Sequence, residues 1–176
     1  IADFHLEVLK NTPEVELVAV CDAVLEKAEA KAKQFAIPHA VASISELKDL
    51  GVNMASLLLP PPLHSSLIRE TLEAGIGVMV EKPMVLSSED ARELGALANS
   101  KGLPLAVNHN AVTHPSFAAL CKRIEDGEIG RVEHVRVTLS VPLRQLDAGD
   151  FSHWMFRTPA NIVFEHGPHP CAQVHA

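Results

Sequence analysis

Short apolar runs alternate with longer helix-forming stretches along the first 108 residues of this chain. The apolar runs are rich in β-branched residues, as buried parallel strands are, and the stretches between them are rich in helix formers. This alternation predicts an α/β fold in which helices cover an open parallel sheet. Strands are predicted at 15–22, 53–59, 76–80 and 103–108, and helices at 1–9, 23–36, 43–50, 63–75 and 87–102.

The pattern changes after the last of these strands. A helix is predicted at 114–127, and a strand at 130–142 follows it. Polar residues interrupt the apolar ones in this strand, which indicates that one of its faces is solvated. A further helix is predicted towards the end of the chain. We therefore place a first domain at 1–108 and the beginning of a second, C-terminally truncated domain at 109–176.

The composition argues against several classes of protein. Apolar residues make up 47 % of the chain, enough for a packed core, and the net charge of −7 comes without a Lys/Arg cluster for nucleic acid. No apolar run reaches the roughly 20 residues of a membrane span, and the first residues do not form a signal peptide. The widely spaced Cys21, Cys121 and Cys171 are interpreted as reduced thiols. We therefore expect a cytoplasmic protein without nucleic-acid or membrane partners.

Asp22 is the last residue of the first predicted strand. In dinucleotide-binding units a glycine-rich turn precedes the first helix, and an acidic residue at the end of the second strand binds the ribose hydroxyls. Asp22 has this position, and its charge favours NAD over NADP because it repels a 2′-phosphate. The alternative is that Asp22 serves only the turn after the strand. No glycine turn precedes Asp22, so we expect an N-terminally truncated chain that begins inside the first helix.

Three strands are directly followed by residues that suit a ligand site. These are LPPPLH at 59–64, EKP at 81–83 and NHN at 108–110. In open α/β sheets ligands bind beyond the carboxyl ends of the strands, so all three should line one edge. A partly desolvated lysine beside a carboxylate, such as Lys82, can hold or release the proton of a substrate hydroxyl. Taken alone, the tripeptide is better interpreted as a surface turn.

The longer pattern around this tripeptide is specific. The runs LLLPPPLHSSLIRETLEAGIGVMVEKPM and CKRIEDGEIGRVEHVRV, with EHGPH further on, resemble the glucose–fructose oxidoreductase / inositol dehydrogenase / MocA family along almost the whole chain. The resemblance implies a Rossmann domain followed by an α/β domain with a mostly antiparallel sheet. It also implies a nicotinamide-dependent oxidoreductase of a sugar, inositol or related polyol. Members of the family are often dimers or tetramers, so a homo-oligomer is expected.

The resemblance also assigns roles to residues. Lys82 matches the lysine near the nicotinamide and the substrate hydroxyl, while Glu165 and His169 match the acidic residue and the histidine of a D-x-G-x-H motif. Glu165 replaces the usual aspartate, and Leu59 stands where threonine is common. The expected catalytic residues are Lys82, His169 and Glu165; the cofactor-binding residues are Asp22, Leu59, Pro60, Pro61, His64, Glu81, Lys82 and Asn110; and the substrate-binding residues are Lys82, Trp154 and His169.

Several alternatives accompany this interpretation. The pair of histidines at 166 and 169 has helical spacing, but Pro168 between them disturbs a regular helix, and no metal site is predicted. The alternative to a substrate contact for Trp154 is a place in the hydrophobic core. The protein could also be an NAD-dependent glycosidase or epimerase-like enzyme that returns the hydride, or a non-catalytic Rossmann ligand sensor. Lys82 together with His169 argues against a sensor, which needs no proton relay.

Overall fold

A computed structural model describes residues 1–176. Its five short strands are all parallel, and helices connect them. The strands are β1 Ala19–Cys21, β2 His39–Val41, β3 Met54–Leu57, β4 Gly77–Glu81 and β5 Leu105–Asn108. The helices are α1 Ala2–Lys10, α2 Leu25–Phe35, α3 Ile44–Asp49, α4 His64–Glu73, α5 Ser88–Lys101, α6 Asn110–Thr113, α7 Pro115–Glu125, α8 Arg144–Asp147, α9 Pro159–His166 and α10 Pro168–His175. None of them is both long enough and apolar enough to cross a membrane.

The strands form two parallel sheets rather than one. The first sheet pairs β1 with β2, and the second has the order β3-β4-β5, while β1 and β3 do not pair with each other. In the second sheet Leu57 is in register with Val80, and Glu81 is in register with Asn108. The carboxyl ends of these three strands therefore meet at one edge, which confirms the predicted parallel α/β architecture.

The main core lies between the second sheet and the helices α4 and α5. Val78 and Val80 of β4 are almost fully buried, and so are Ile68 of α4 and Leu94 of α5. A smaller cluster of Val41, Ile44, Leu47 and Ile76 packs beside the first sheet. Strand β4 thus buries Val78 and Val80 on one face, while Met79 on the opposite face is only partly buried. The residue that follows it is therefore attached to one of the best-packed parts of the chain.

Local signals explain where α5 begins and ends. The Ser87 side chain accepts hydrogen bonds from the backbone N–H groups of Glu89 and Asp90, which otherwise lack helical partners. Gly102 ends the helix in the left-handed region, at a φ of 64°, where glycine has no steric penalty. These two residues place the helix within one residue of its predicted bounds.

Several elements differ from the prediction, among them the short helices α6 and α8, which were not predicted. The three-residue strand β2 was not predicted, because it is too short to carry a periodic signal. The predicted strand at 130–142 is wrong for this structure, since residues 131–142 belong to no strand and form no backbone–backbone hydrogen bond. Its alternating Val135, Val137 and Leu139 remain exposed because no neighbouring strand pairs with them. The helix predicted near the end of the chain is two helices, α9 and α10.

We predict that Gly77→Ala destabilises the chain, because β4 and its neighbours leave no room for a side chain there. A Cβ at Gly77 would lie 2.6 Å from Pro104 Cγ and 2.9 Å from Met54 Sδ, and the proline ring cannot rotate away. Overpacking of this kind costs about 1–3 kcal/mol of the free energy of unfolding. The measurement is the midpoint of urea-induced unfolding.

Gly95→Ala is the matched control. Gly95 lies within α5, and a Cβ added there meets no atom within 4 Å. Alanine is favoured over glycine inside a helix by up to about 1 kcal/mol, so this variant should unfold at an equal or higher urea concentration. Equal midpoints for Gly77→Ala and the unaltered chain would contradict the close packing of β4 on Pro104.

Candidate functional site

Lys82 leaves the carboxyl end of β4 and pairs with a residue 83 positions further along the chain. Its Nζ donates to Glu165 Oε1 at 2.5 Å and to the Glu165 backbone carbonyl at 2.9 Å. The two side chains are only 14 % and 20 % exposed. A lysine ammonium carries three N–H donors, so one remains free for a ligand. The ion pair joins the edge of the sheet to α9.

The second carboxylate oxygen of Glu165 has its own partner. Trp154 Nε1 donates to Glu165 Oε2 at 2.9 Å, and Trp154 is itself buried. Burial alone would raise the pKa of Glu165. The hydrogen bond and the charge of Lys82, the indole N–H and the charge of His153 outweigh burial and hold this pKa below its usual range. Glu165 is therefore a carboxylate at neutral pH and keeps Lys82 paired.

A cavity of about 560 Å³ opens beside this ion pair. Lys82, Glu165 and His169 all line it, so the structure brings the three predicted catalytic residues together. The rest of the cavity is lined by both apolar and polar side chains. The apolar side chains are Ala111, Val137, Leu139, Val141, Pro142, Leu143 and Met155, and the polar ones are Thr138, Arg144, Gln145, His166 and Gln173.

His169 lies at the start of α10 and is partly buried. Burial lowers the pKa of His169, and the nearby charges of Lys82, His166 and His109 lower it further, against a smaller opposite effect of Glu165. Its imidazole is therefore neutral at neutral pH and is able to accept a proton from a group in the cavity. His109 Nδ1 and His166 Nε2 are buried without a hydrogen-bond partner.

His64 connects two of the predicted ligand-binding turns. The ring is fully buried, with Nε2 2.8 Å from the Leu59 carbonyl oxygen and Nδ1 2.8 Å from that of Pro83. The Leu59 and Pro83 turns are therefore held together beneath the edge of the sheet. The ring of Pro61 is also buried in this region, whereas Pro60 is exposed. None of these residues lines the cavity.

Glu81 is held from two sides. His5 Nε2 of α1 lies 2.9 Å from Glu81 Oε1, and Asn108 Nδ2 of β5 donates to the same oxygen at 2.6 Å. Glu81 thus fixes the backbone immediately before Lys82. Sequence reasoning missed His5, because nothing local relates it to a residue 76 positions away.

The remaining predicted residues lie apart from the cavity. Asp22 Oδ1 accepts from the Val24 N–H at 2.9 Å, as a turn residue would, and Oδ2 has no partner within the chain. Asn110 is exposed at the start of α6. Trp154 does not line the cavity, and its predicted contact with substrate stays a prediction. No group of three His, Cys, Asp or Glu side chains is arranged to hold a metal ion.

We predict that His64→Leu destabilises the chain strongly. The leucine removes the ring that both buried carbonyls contact, and an unsatisfied buried polar group costs roughly 1–3 kcal/mol. The midpoint of urea-induced unfolding should therefore fall. His175→Leu, at an exposed position near the end of α10, is the control and should leave the midpoint almost unchanged. If both variants unfold at the same urea concentration, His64 does not brace the two turns.

The chain is similar to several known proteins. Residues 1–109 match the family model GFO_IDH_MocA, described as an oxidoreductase family with an NAD-binding Rossmann fold. The inositol 2-dehydrogenase of Rhizobium meliloti (strain 1021) is 30 % identical over 143 residues, which are 81 % of this chain and 43 % of that enzyme.

Two solved structures are also similar. GenD2 from gentamicin A biosynthesis, in complex with NAD, has a TM-score of 0.64 and 32 % identity over 70 % of this chain and 36 % of its own. KijD10, a 3-ketoreductase from Actinomadura kijaniata in complex with NADP and TDP-benzene, has a TM-score of 0.63 and 26 % identity over 69 % of this chain and 38 % of its own. The chain spans less than half the length of each of these relatives. Because the family model covers more than half of the residues and the strands are parallel as such a fold requires, the chain belongs to the Gfo/Idh/MocA family of oxidoreductases with an NAD-binding Rossmann fold.

Proposed function

We propose that the whole protein is an NAD(P)-dependent oxidoreductase that transfers a hydride between a nicotinamide ring and the secondary hydroxyl carbon of a sugar, inositol or related polyol. The observation that carries this proposal is the cavity in which Lys82, Glu165 and His169 meet. A lysine with one free N–H beside a neutral histidine is the arrangement that removal of a hydroxyl proton requires. The names of two relatives, an inositol dehydrogenase and a 3-ketoreductase, support the substrate class.

The residues at the edge of the sheet fit a dinucleotide. Asp22 Oδ2 is free to accept hydrogen bonds from ribose hydroxyls, and its charge favours NAD over NADP. The nicotinamide, when bound, supplies the carbon that exchanges the hydride with substrate. The residues proposed to hold the cofactor are Asp22, Leu59, Pro60, Pro61, His64, Glu81, Lys82 and Asn110.

The chain's own residues divide the proton chemistry between them. His169 takes the hydroxyl proton, since its lowered pKa keeps the ring unprotonated. The remaining N–H of Lys82 donates to the substrate oxygen and stabilises the negative charge that develops there. Glu165 holds the Lys82 ammonium at the cavity. Glu165 has one more methylene than the aspartate usual in the motif, and this length suits a carboxylate that reaches back from α9.

We further propose the division into a Rossmann domain at 1–108 and a second domain that begins at 109. The lack of pairing between β1 and β3 supports an additional parallel strand between them in the whole protein. The exposed alternation of Val135, Val137 and Leu139 supports pairing of this segment in an antiparallel sheet. We propose a cytoplasmic homo-oligomer, a dimer or a tetramer, on the basis of the reduced cysteines and the family resemblance.

The first test replaces the lysine in the whole protein. Lys82→Met should lower kcat for a panel of sugars and polyols by about 10²–10⁴-fold, the usual contribution of proton transfer and charge stabilisation. NADH binding, followed by nicotinamide fluorescence, should change little. Lys101→Met, at the exposed end of α5, is the control and should retain full activity.

Three other outcomes of this experiment are informative. A Lys82→Met variant with near-normal turnover would overturn the proposed role of Lys82. Turnover of substrate without net NADH would point to a glycosidase or epimerase-like reaction. Absence of any nicotinamide binding would point to a sensor.

The pH dependence of alcohol oxidation provides a second test. His169 must be unprotonated to accept a proton, so activity is lost as the pH falls through the pKa of this histidine. Because burial and neighbouring cations lower that pKa, this loss should occur at a lower pH than for an ordinary histidine. The rate of oxidation should be measured from pH 5 to 9. His169→Asn should remove this dependence, and its persistence would assign the base elsewhere.

A further inference from the structure

The chain contains a single tryptophan, Trp154, and its indole donates a hydrogen bond to Glu165 of the Lys82–Glu165 ion pair. Trp154 is 8 % exposed and does not line the cavity beside Lys82. Its only indole hydrogen bond goes to Glu165 Oε2, at 2.9 Å. The opposite oxygen, Oε1, holds Lys82. The carboxylate is therefore bound once on each oxygen.

The turn that carries Trp154 is itself fixed. Residues Trp154–Phe156 form one turn of 3-10 helix, in which the His153 ring accepts from the Met155 N–H. Asn161 Nδ2 of α9 donates to the Trp154 carbonyl at 2.7 Å. The neighbouring Met155 is fully buried. These hydrogen bonds hold the backbone of the turn, and the indole N–H donates to Glu165 from it.

A glutamate needs such a second anchor more than an aspartate does. The torsion that turns a carboxylate about its last bond is soft, and glutamate has one more rotatable bond before it than aspartate. A single hydrogen bond to Oε1 leaves the plane of the group free. Donors on both oxygens fix the plane and thereby the direction in which Oε1 faces Lys82.

We propose that Trp154 is a positioning residue, whose indole N–H fixes Oε2 of Glu165 so that Oε1 holds the Lys82 ammonium at the cavity. The link to catalysis rests on the proposed function, whereas the hydrogen bond and its effect on Glu165 do not. The charged and titratable groups around Glu165 are Lys82, whose ammonium it holds, His153 beside the tryptophan turn, and Arg144, His166 and His169, which line the same cavity.

The decisive measurement uses the chain without nucleotide. In a ¹⁵N-labelled sample the indole N–H of Trp154 gives one resonance, because there is no other tryptophan. This resonance should shift as the pH falls, with a midpoint below the usual range of a glutamate because the pKa of Glu165 is lowered. Glu165→Gln should abolish the acidic transition. Glu93→Gln should leave the acidic transition intact, since it removes an exposed carboxylate of α5 that pairs with Arg69 of α4.

Two results of this titration would overturn the proposal. One is an indole resonance that does not move in acid, and the other is an acidic transition that survives Glu165→Gln. The Glu165→Gln variant also distinguishes Glu165 from His153, because a transition caused by His153 would survive this substitution. Since no nucleotide is needed, the hydrogen bond is judged independently of whether the whole protein is an oxidoreductase.

A double-mutant cycle in the whole protein tests the catalytic consequence. Trp154→Phe keeps a six-membered aromatic ring in the buried site and removes the N–H donor together with the five-membered ring of the indole. We expect kcat to fall about tenfold, the size of a lost hydrogen bond to a charged group, with KM for the nucleotide unchanged. In a Glu165→Gln background the same substitution should have no further effect on kcat, because Trp154 acts through the carboxylate.

Additive losses in the cycle would show that Trp154 acts through packing alone and would overturn the positioning role. If Trp154→Phe does not fold, the titration of the unaltered chain and of Glu165→Gln still decides the proposal. If the titration succeeds and no nicotinamide is bound by the whole protein, the proposed function fails while the positioning of Glu165 stands.

Discussion

The ion pair between Lys82 and Glu165 is the contact on which the arrangement of the site depends. Both side chains are mostly removed from water, and the desolvation of two such charges is costly unless further hydrogen bonds satisfy them. The structure supplies these bonds: the Glu165 carbonyl binds Lys82 as well, and Trp154 binds the second carboxylate oxygen. The pair is therefore part of a small network that ties the last helices of the chain to the edge of the parallel sheet.

The position of Lys82 is determined by the backbone on either side of it. Glu81 before it is held by His5 from α1 and Asn108 from β5. The Pro83 carbonyl after it lies against the buried ring of His64. A lysine side chain is long and flexible, so a fixed point of attachment limits the space that its ammonium explores. Residues distant from the cavity thereby decide where the charge in the cavity lies.

How much of this could be predicted from the sequence depends on how local each signal is. Helix α5 and strand β4 were predicted within one residue of their observed bounds, because Ser87, Gly102 and a buried apolar run are local signals. The segment 130–142 has the alternation of a strand, yet a strand also needs a neighbour, and none is present in this chain.

The candidate site was predicted only in part, since its contacts join distant residues. The position of Lys82 after a predicted strand pointed to it, but no spacing rule connects it with Glu165, which only the family resemblance named. The partner of the Trp154 indole could not be predicted at all, because it depends on how a 3-10 turn packs against α9. Such hydrogen bonds become visible only when the tertiary structure is known.

The spacing of Glu165 and His169 depends on the glycine between them. Gly167 donates its N–H to the Val163 carbonyl at 2.7 Å, and a Cβ at Gly167 would lie 2.5 Å from that same oxygen. Only a residue without a side chain allows α9 to end so closely against the start of α10. Any larger residue would push α10 away and move His169 relative to the carboxylate. Gly167 is therefore needed because a side chain would not fit there, and not because of a positive φ. The end of α9 at this glycine thus determines where α10 places His169, the proposed base.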